Sequence, residues 1–240
     1  MQELAHTNLT PLATLSPFED LDHWNFTGLL TGKSGIFHLS HVWQIQFLLQ
    51  NHRILVIDCA IRFNAFFLAE EAHRLGLQSE AVLGSILVQR AFTPYQILDV
   101  ITGILSKSHR PSPTTYFLLA PMKQFFDGDV SEEEGKFLLQ KMLSVIRNIQ
   151  AEGIPFLIVE KESYDHPSFA PAFQDLIQLA NPLWQLTQRD GSYSLKARRL
   201  PEIQGQRSKA MDFHSPSSRE PRIILERPDF SSSQSYRRIA

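Results

Sequence analysis

One cysteine, Cys59, stands among 240 residues. A single thiol excludes an intrachain disulfide and fits a reducing cytoplasm. Cys59 is expected at a strand end, with a catalytic thiol as the alternative reading. Long apolar runs are missing too. No stretch approaches the roughly 20 residues a membrane span needs, so no membrane partner is expected. The start, Met1-Gln2-Glu3-Leu4-Ala5-His6, lacks a basic segment followed by an apolar one, which predicts no secretory signal. Excess charge of one sign is also absent: the formal net charge is −2. Bulk electrostatics therefore gives no pull toward nucleic acid. No internal repeat is present, and no G-x-S-x-G elbow marks a serine hydrolase. Nine histidines invite a metal search. His38 and His41 have the spacing to share a helix face, but no cysteine or carboxylate completes a ligand set, so they read as helix-surface histidines.

What is there is the composition of a globular chain, 43% hydrophobic and 20% charged. This length supports one sizeable core. Residues 1–20, with Pro11 and Pro17, read as an irregular arm. From 21 to 199 apolar runs alternate with helical patterns, which predicts α/β architecture: a mostly parallel sheet flanked by helices. Ile36, Leu39, Trp43 and Phe47 repeat at helical spacing. Apolar runs at 54–57, 86–88, 116–119 and 156–159 read as buried strands. Helices are expected over 65–75, 94–106, 131–151 and 170–180. Pro94 suits a first turn, and Ser131 with Glu134 forms a capping box. Asp190-Gly191 joins strands 183–187 and 192–198 in a C-terminal antiparallel hairpin. Residues 200–240 are rich in Ser, Pro, Gln and Arg and read as a disordered polar tail. Within it, Arg222-Ile223-Ile224-Leu225-Glu226 could add a strand to a partner or to the core; a solvated tail is the plainer reading.

The segment Thr27-Gly28-Leu29-Leu30-Thr31-Gly32-Lys33-Ser34 approximates the phosphate-loop pattern G-x-x-x-x-G-K-[ST]. In that pattern backbone N–H groups and a helix N-terminus wrap phosphates, the lysine offsets their charge, and the hydroxyl holds Mg²⁺. Thr27 replaces the first glycine, and Gly28 is the candidate to make the tight turn. The strand that should precede the loop would fall at 21–26. The nucleotide-binding candidates are Gly28, Thr31, Gly32, Lys33 and Ser34, with Ser34 as the Mg²⁺ ligand. A short glycine-containing turn is the plainer alternative.

The run from Ile54-Leu55-Val56-Ile57-Asp58 through Leu75-Gly76-Leu77 to Arg90-Ala91-Phe92, with Gly32-Lys33-Ser34 upstream, resembles the ATPase core of the RecA superfamily. The recombinase and KaiC-like branches are the nearest in pattern. The resemblance covers about residues 21–198. It implies a RecA-like P-loop NTPase core with ATP and Mg²⁺ as ligands. It also implies an oligomer interface at the nucleotide site, shared with a RecA-fold paralogue or a second copy.

Several of the family's chemical groups are absent at matching positions. Where the family carries Asp-Thr-Glu, with glutamate as general base, this chain reads Asp58-Cys59-Ala60, so the base is missing at Ala60. Glu70 and Glu71 read as surface charges. The metal-shell aspartate expected after Tyr116-Phe117-Leu118-Leu119 is Ala120 followed by Pro121. Asp127 and Asp129 fall too late and read as loop charges. The Asn-Gln sensor expected after the fourth strand is Glu160-Lys161-Glu162, read as a solvated charge cluster. The counterparts of the DNA loops, 123–134 and 160–170, lack interleaved basic and aromatic residues. The remaining basic residues, Lys196, Arg198, Arg199, Arg237 and Arg238, leave DNA as a secondary partner.

The resemblance thus implies a non-hydrolysing or weakly active assembly partner or regulator in DNA recombination or repair, in the cytoplasm, nucleoid or nucleus. Two alternatives stay open. One is an active DNA-dependent ATPase with substituted or trans-supplied catalytic groups. The other is a RecA-fold scaffold outside DNA metabolism.

Overall fold

The computed structural model describes residues 12–18, 21, 25–106, 113–128, 130–190 and 192–198. Seven strands form one sheet: β1 (Thr27–Gly32), β2 (Arg53–Asp58), β3 (Ile86–Arg90), β4 (Thr114–Leu119), β5 (Phe156–Lys161), β6 (Leu183–Arg189) and β7 (Ser192–Arg198). Their order is β3-β2-β4-β5-β1-β6-β7, parallel except for the β6–β7 pair. The α/β reading, the mostly parallel sheet and the closing antiparallel hairpin are therefore present. The helices are α1 (Ile36–Leu49), α2 (Ala65–Arg74), α3 (Ser79–Gly84), α4 (Pro94–Leu105), α5 (Glu132–Ala151) and α6 (Phe169–Leu179). Helix α3 was not anticipated, because six residues are too short to display a period.

Two apolar layers cover the sheet. On one face, Leu39, Trp43 and Phe47 of α1 pack with Leu68 and Ala72 of α2 and Val82 of α3. On the other, Ile97 and Ile101 of α4, Leu139 and Met142 of α5, and Phe173 and Leu176 of α6 form the second layer. Strands buried on both faces need apolar residues at nearly every position, which is why the central strands read as unbroken hydrophobic runs. Within residues 1–20, the described portion holds a 3₁₀ turn at Leu12–Thr14. It lies against α1, where the Trp43 indole N–H donates to the Leu15 carbonyl at 2.8 Å. The tail at 200–240, with Arg199, Gly191 and Asp129, lies outside the described residues.

The first strand departs from expectation. The strand falls at 27–32 and not at 21–26, so most of the expected phosphate loop is strand. Packing explains the placement. A Cβ on Gly28 would stand 2.4 Å from Cζ3 of the buried Trp184, and one on Gly32 would stand 2.4 Å from the Leu186 carbonyl oxygen. Both glycines let β1 lie tightly against β6. Lys33, Ser34 and Gly35 make the short turn into α1, with Gly35 at φ 76° in the left-handed region.

Candidate functional site

Parallel α/β sheets place ligands beyond the carboxyl ends of their strands. Here that edge holds an open cleft of about 870 Å³. Its walls come from the β1–α1 turn, the loop after β2, and the ends of β3 and β5. Lys33, Arg62, Arg90 and Lys161 all line it, and no carboxylate residue does. All four cations are exposed. Among the described residues, Arg62, Arg90 and Lys161 enter no ion pair, while the Lys33 ammonium lies 3.9 Å from Glu162. Phe37, Phe63 and Phe66 add aromatic surface. The Arg62 guanidinium sits 5.3 Å from the Phe37 ring centroid, a cation–π contact that orients its charge.

The loop after β2 is built by a buried acid. Asp58 is fully buried at the end of β2. Its Oδ1 accepts the N–H groups of Arg62 at 2.8 Å and Ala60 at 3.4 Å, and its Oδ2 accepts that of Phe63 at 3.3 Å. The carboxylate thus folds the chain around itself and presents Arg62 outward. Ile61, at the tip, is held at φ 54°, a strained conformation for a β-branched residue.

Buried His41 ties this loop to α1. Its Nδ1–H donates to the Phe37 carbonyl, and its Nε2 accepts the Asn64 N–H at 2.9 Å. Burial lowers its pKa from 6.5 to about 4, so the ring is neutral, as an accepting Nε2 requires. His41 is therefore not a helix-surface histidine; it is a clamp inside the fold. Its neighbour His38 is exposed and lines the cleft.

Glu160 also departs from expectation. It belongs to β5, is buried, and is not part of a solvated cluster. Its oxygens accept the N–H groups of Met122 and Lys161, each at 2.9 Å. Burial pushes its pKa up to about 7, against those two bonds and the charges of Arg62 and Lys161. Asp58 and Glu160 thus bond to backbone N–H groups and stay out of the cleft.

The five phosphate-loop candidates separate. Gly28 and Thr31 lie within β1 and do not line the cleft, and Gly32 closes the strand. The Thr31 hydroxyl is buried without a hydrogen-bond partner among the described residues. Lys33 and Ser34 do reach the cleft. The Ser34 hydroxyl donates to the Gln188 side-chain carbonyl at 3.0 Å. Phosphate fits these surroundings, because cations surround the start of α1. A magnesium ion would meet the Ser34 hydroxyl here but no carboxylate among the lining residues. Among the described residues no cluster of three or more His, Cys, Asp or Glu could hold a metal ion. Ala120 occupies the expected metal-shell position; it is buried, with φ 50°, and its N–H bonds the Val159 carbonyl at 2.8 Å. Glu71 pairs with Arg74 and Asp127 with Lys123, both away from the cleft.

Sequence reading missed Arg62, Arg90 and Lys161 as binding groups. A signal was present, since each is the first cation at or just beyond the end of an apolar strand run. The sequence matches no protein-family model and no curated protein. No described helix is long and apolar enough to cross a membrane.

Proposed function

We infer that this chain is a RecA-like subunit that does not hydrolyse ATP and acts as an assembly partner or regulator in DNA recombination or repair. One observation carries the non-hydrolysing part: the cleft at the carboxyl edge of the sheet has four cations and no carboxylate to activate water or hold a metal. Of the nearby acids, Asp58 and Glu160 are buried against backbone N–H groups, and Glu162 pairs with Lys33 at 3.9 Å. Losing both a base and a metal carboxylate removes several kcal/mol of barrier lowering in enzymes of this kind. A parallel sheet whose first crossover starts at Gly35 supports the RecA-like assignment. The recombination or repair setting rests on the resemblance of Asp58–Phe92 to the recombinase core.

Phosphate release from ATP in Mg²⁺, with and without single-stranded DNA, tests this reading. The expected rate equals that of buffer in both cases. DNA-stimulated release that Lys33→Ala abolishes would establish the active ATPase instead. Mixing the chain with a RecA-fold recombinase should change the length of its filaments on DNA. Filaments of unchanged length would favour a scaffold outside DNA metabolism.

A further inference from the structure

We propose that the cleft binds one phosphate-chain ligand of nucleotide size without a divalent metal, held by Lys33, Arg62, Arg90 and Lys161. This rests on the reading of the cleft as a site without hydrolytic groups and says what it takes instead. Four like charges from four separate strand ends face one concavity. Only Lys33 has an acidic neighbour, Glu162 at 3.9 Å, so an entering anion would meet three cations without an ion-pair partner among the described residues. In metal-dependent phosphate sites the ion bridges and neutralises phosphate oxygens. Here the only phosphate-loop hydroxyl facing the cleft, Ser34, bonds Gln188, and the side-chain cations take over neutralisation.

Three further observations narrow the ligand. The volume of about 870 Å³ suits one nucleotide-sized molecule more than a strand of several nucleotides. Helix α1 opens on the cleft without a side-chain cap or an acid in its first turn, so its free N–H groups favour an anion. Phe66 is 90% exposed at the wall, a large apolar face available for stacking on a base.

The test is calorimetry on the full chain with ATP and with inorganic tripolyphosphate, each in EDTA and in Mg²⁺. Saturable one-to-one binding is expected in EDTA, at an affinity equal to or above that in Mg²⁺, because the metal neutralises charge that the cleft would otherwise meet. ATP binding more than about tenfold tighter than tripolyphosphate assigns the ligand to nucleotides, and equal affinity assigns it to bare phosphate chains. Arg62→Gln and Arg90→Gln should each weaken binding on the order of tenfold. Arg90 is exposed at the end of β3, so Arg90→Gln stays informative even if Arg62→Gln, which loses its Phe37 contact, unfolds. The inference is overturned by silence in EDTA, by binding that needs Mg²⁺, or by unchanged affinity in Arg90→Gln. A single-stranded oligonucleotide that binds more tightly than ATP and displaces it would overturn it in favour of a nucleic-acid groove. ATP turnover in Mg²⁺ would sink the non-hydrolysing reading and leave metal-free binding intact. Silence in EDTA would do the reverse.

Discussion

Two corners of this molecule have the same job and are built in opposite ways. Each carries the chain from the end of a parallel strand into a helix on the same face. At the β1–α1 corner three residues suffice, and β6 dictates their shape: Gly28 and Gly32 are glycines because Trp184 and Leu186 press on them. At the β2–α2 corner six residues wrap a buried carboxylate and a buried imidazole pins them. The first corner holds the recognisable motif. The second holds a wall of the cleft. Motif letters can thus be consumed by packing while unmarked residues shape the cavity.

The comparison breaks most visibly at Asp58. Asp58→Ala leaves the Arg62 and Phe63 N–H groups without their acceptor, and a loss of about 3 to 4 kcal/mol is expected. Chemical denaturation would measure it; a loss below about 1 kcal/mol would show that the loop holds itself. Acid tests the second pin. His41 has a folded pKa of about 4, below its ordinary 6.5. Its contribution is full above pH 6.5 and is lost as pH falls toward 4, since the unfolded chain takes the proton first. That amounts to about 3 kcal/mol. A His41→Gln variant should flatten this part of the pH–stability curve, and an unchanged slope would contradict the clamp.

Gly28→Ala sharpens the other side of the comparison. Its added methyl meets Trp184, and about 2 kcal/mol of destabilisation is expected, visible as a lower Tm. If residue 28 sat in an open phosphate loop, the same change would leave Tm alone. The smallest effect is expected at Lys33→Ala. That side chain is 85% exposed, so stability should move by about 0.5 kcal/mol or less.

Glu160 gives an independent pH signature of opposite sign. Its folded pKa lies near 7, above the ordinary 4.5, so its ionisation opposes folding. The contribution of this group should fall as pH rises from 4.5 through 7, by up to about 1.4 kcal/mol per pH unit, partly offsetting the gain from His41 over the same range. Glu160→Gln should remove that fall.

Much of the architecture was legible because its signals are local or periodic. The unbroken apolar runs marked β2, β4 and β5, Ser131 marked the start of α5, and Asp190-Gly191 marked the hairpin. The position of β1 was not legible. Thr27-Gly28-Leu29-Leu30-Thr31-Gly32 has two glycines and two hydroxyls, and it becomes a strand by pairing with β5 and β6, both far along the chain. Lys33 and Ser34 were found from their motif. Arg62 and Arg90 were not, because their convergence depends on β2 and β3 lying side by side, a pairing that spacing alone does not express. Glu160 was misread for a similar reason: a charge beside Lys161 and Glu162 looks wet until the Met122 amide arrives from the 3₁₀ turn that follows β4.

Helix α1 is buried along most of its length, including Ser40, His41 and Gln44. A rod embedded that deeply cannot slide or tilt without opening the core. Any occupant of the cleft must therefore signal through the arch at 59–64, whose strained summit is Ile61 and which is tethered to the rod described above by the imidazole of His41 and by Arg62 over the Phe37 ring. Hydrogen exchange should register this order, with the Arg62 and Phe63 amides slowing on occupancy while those in the middle of α1 stay as they were.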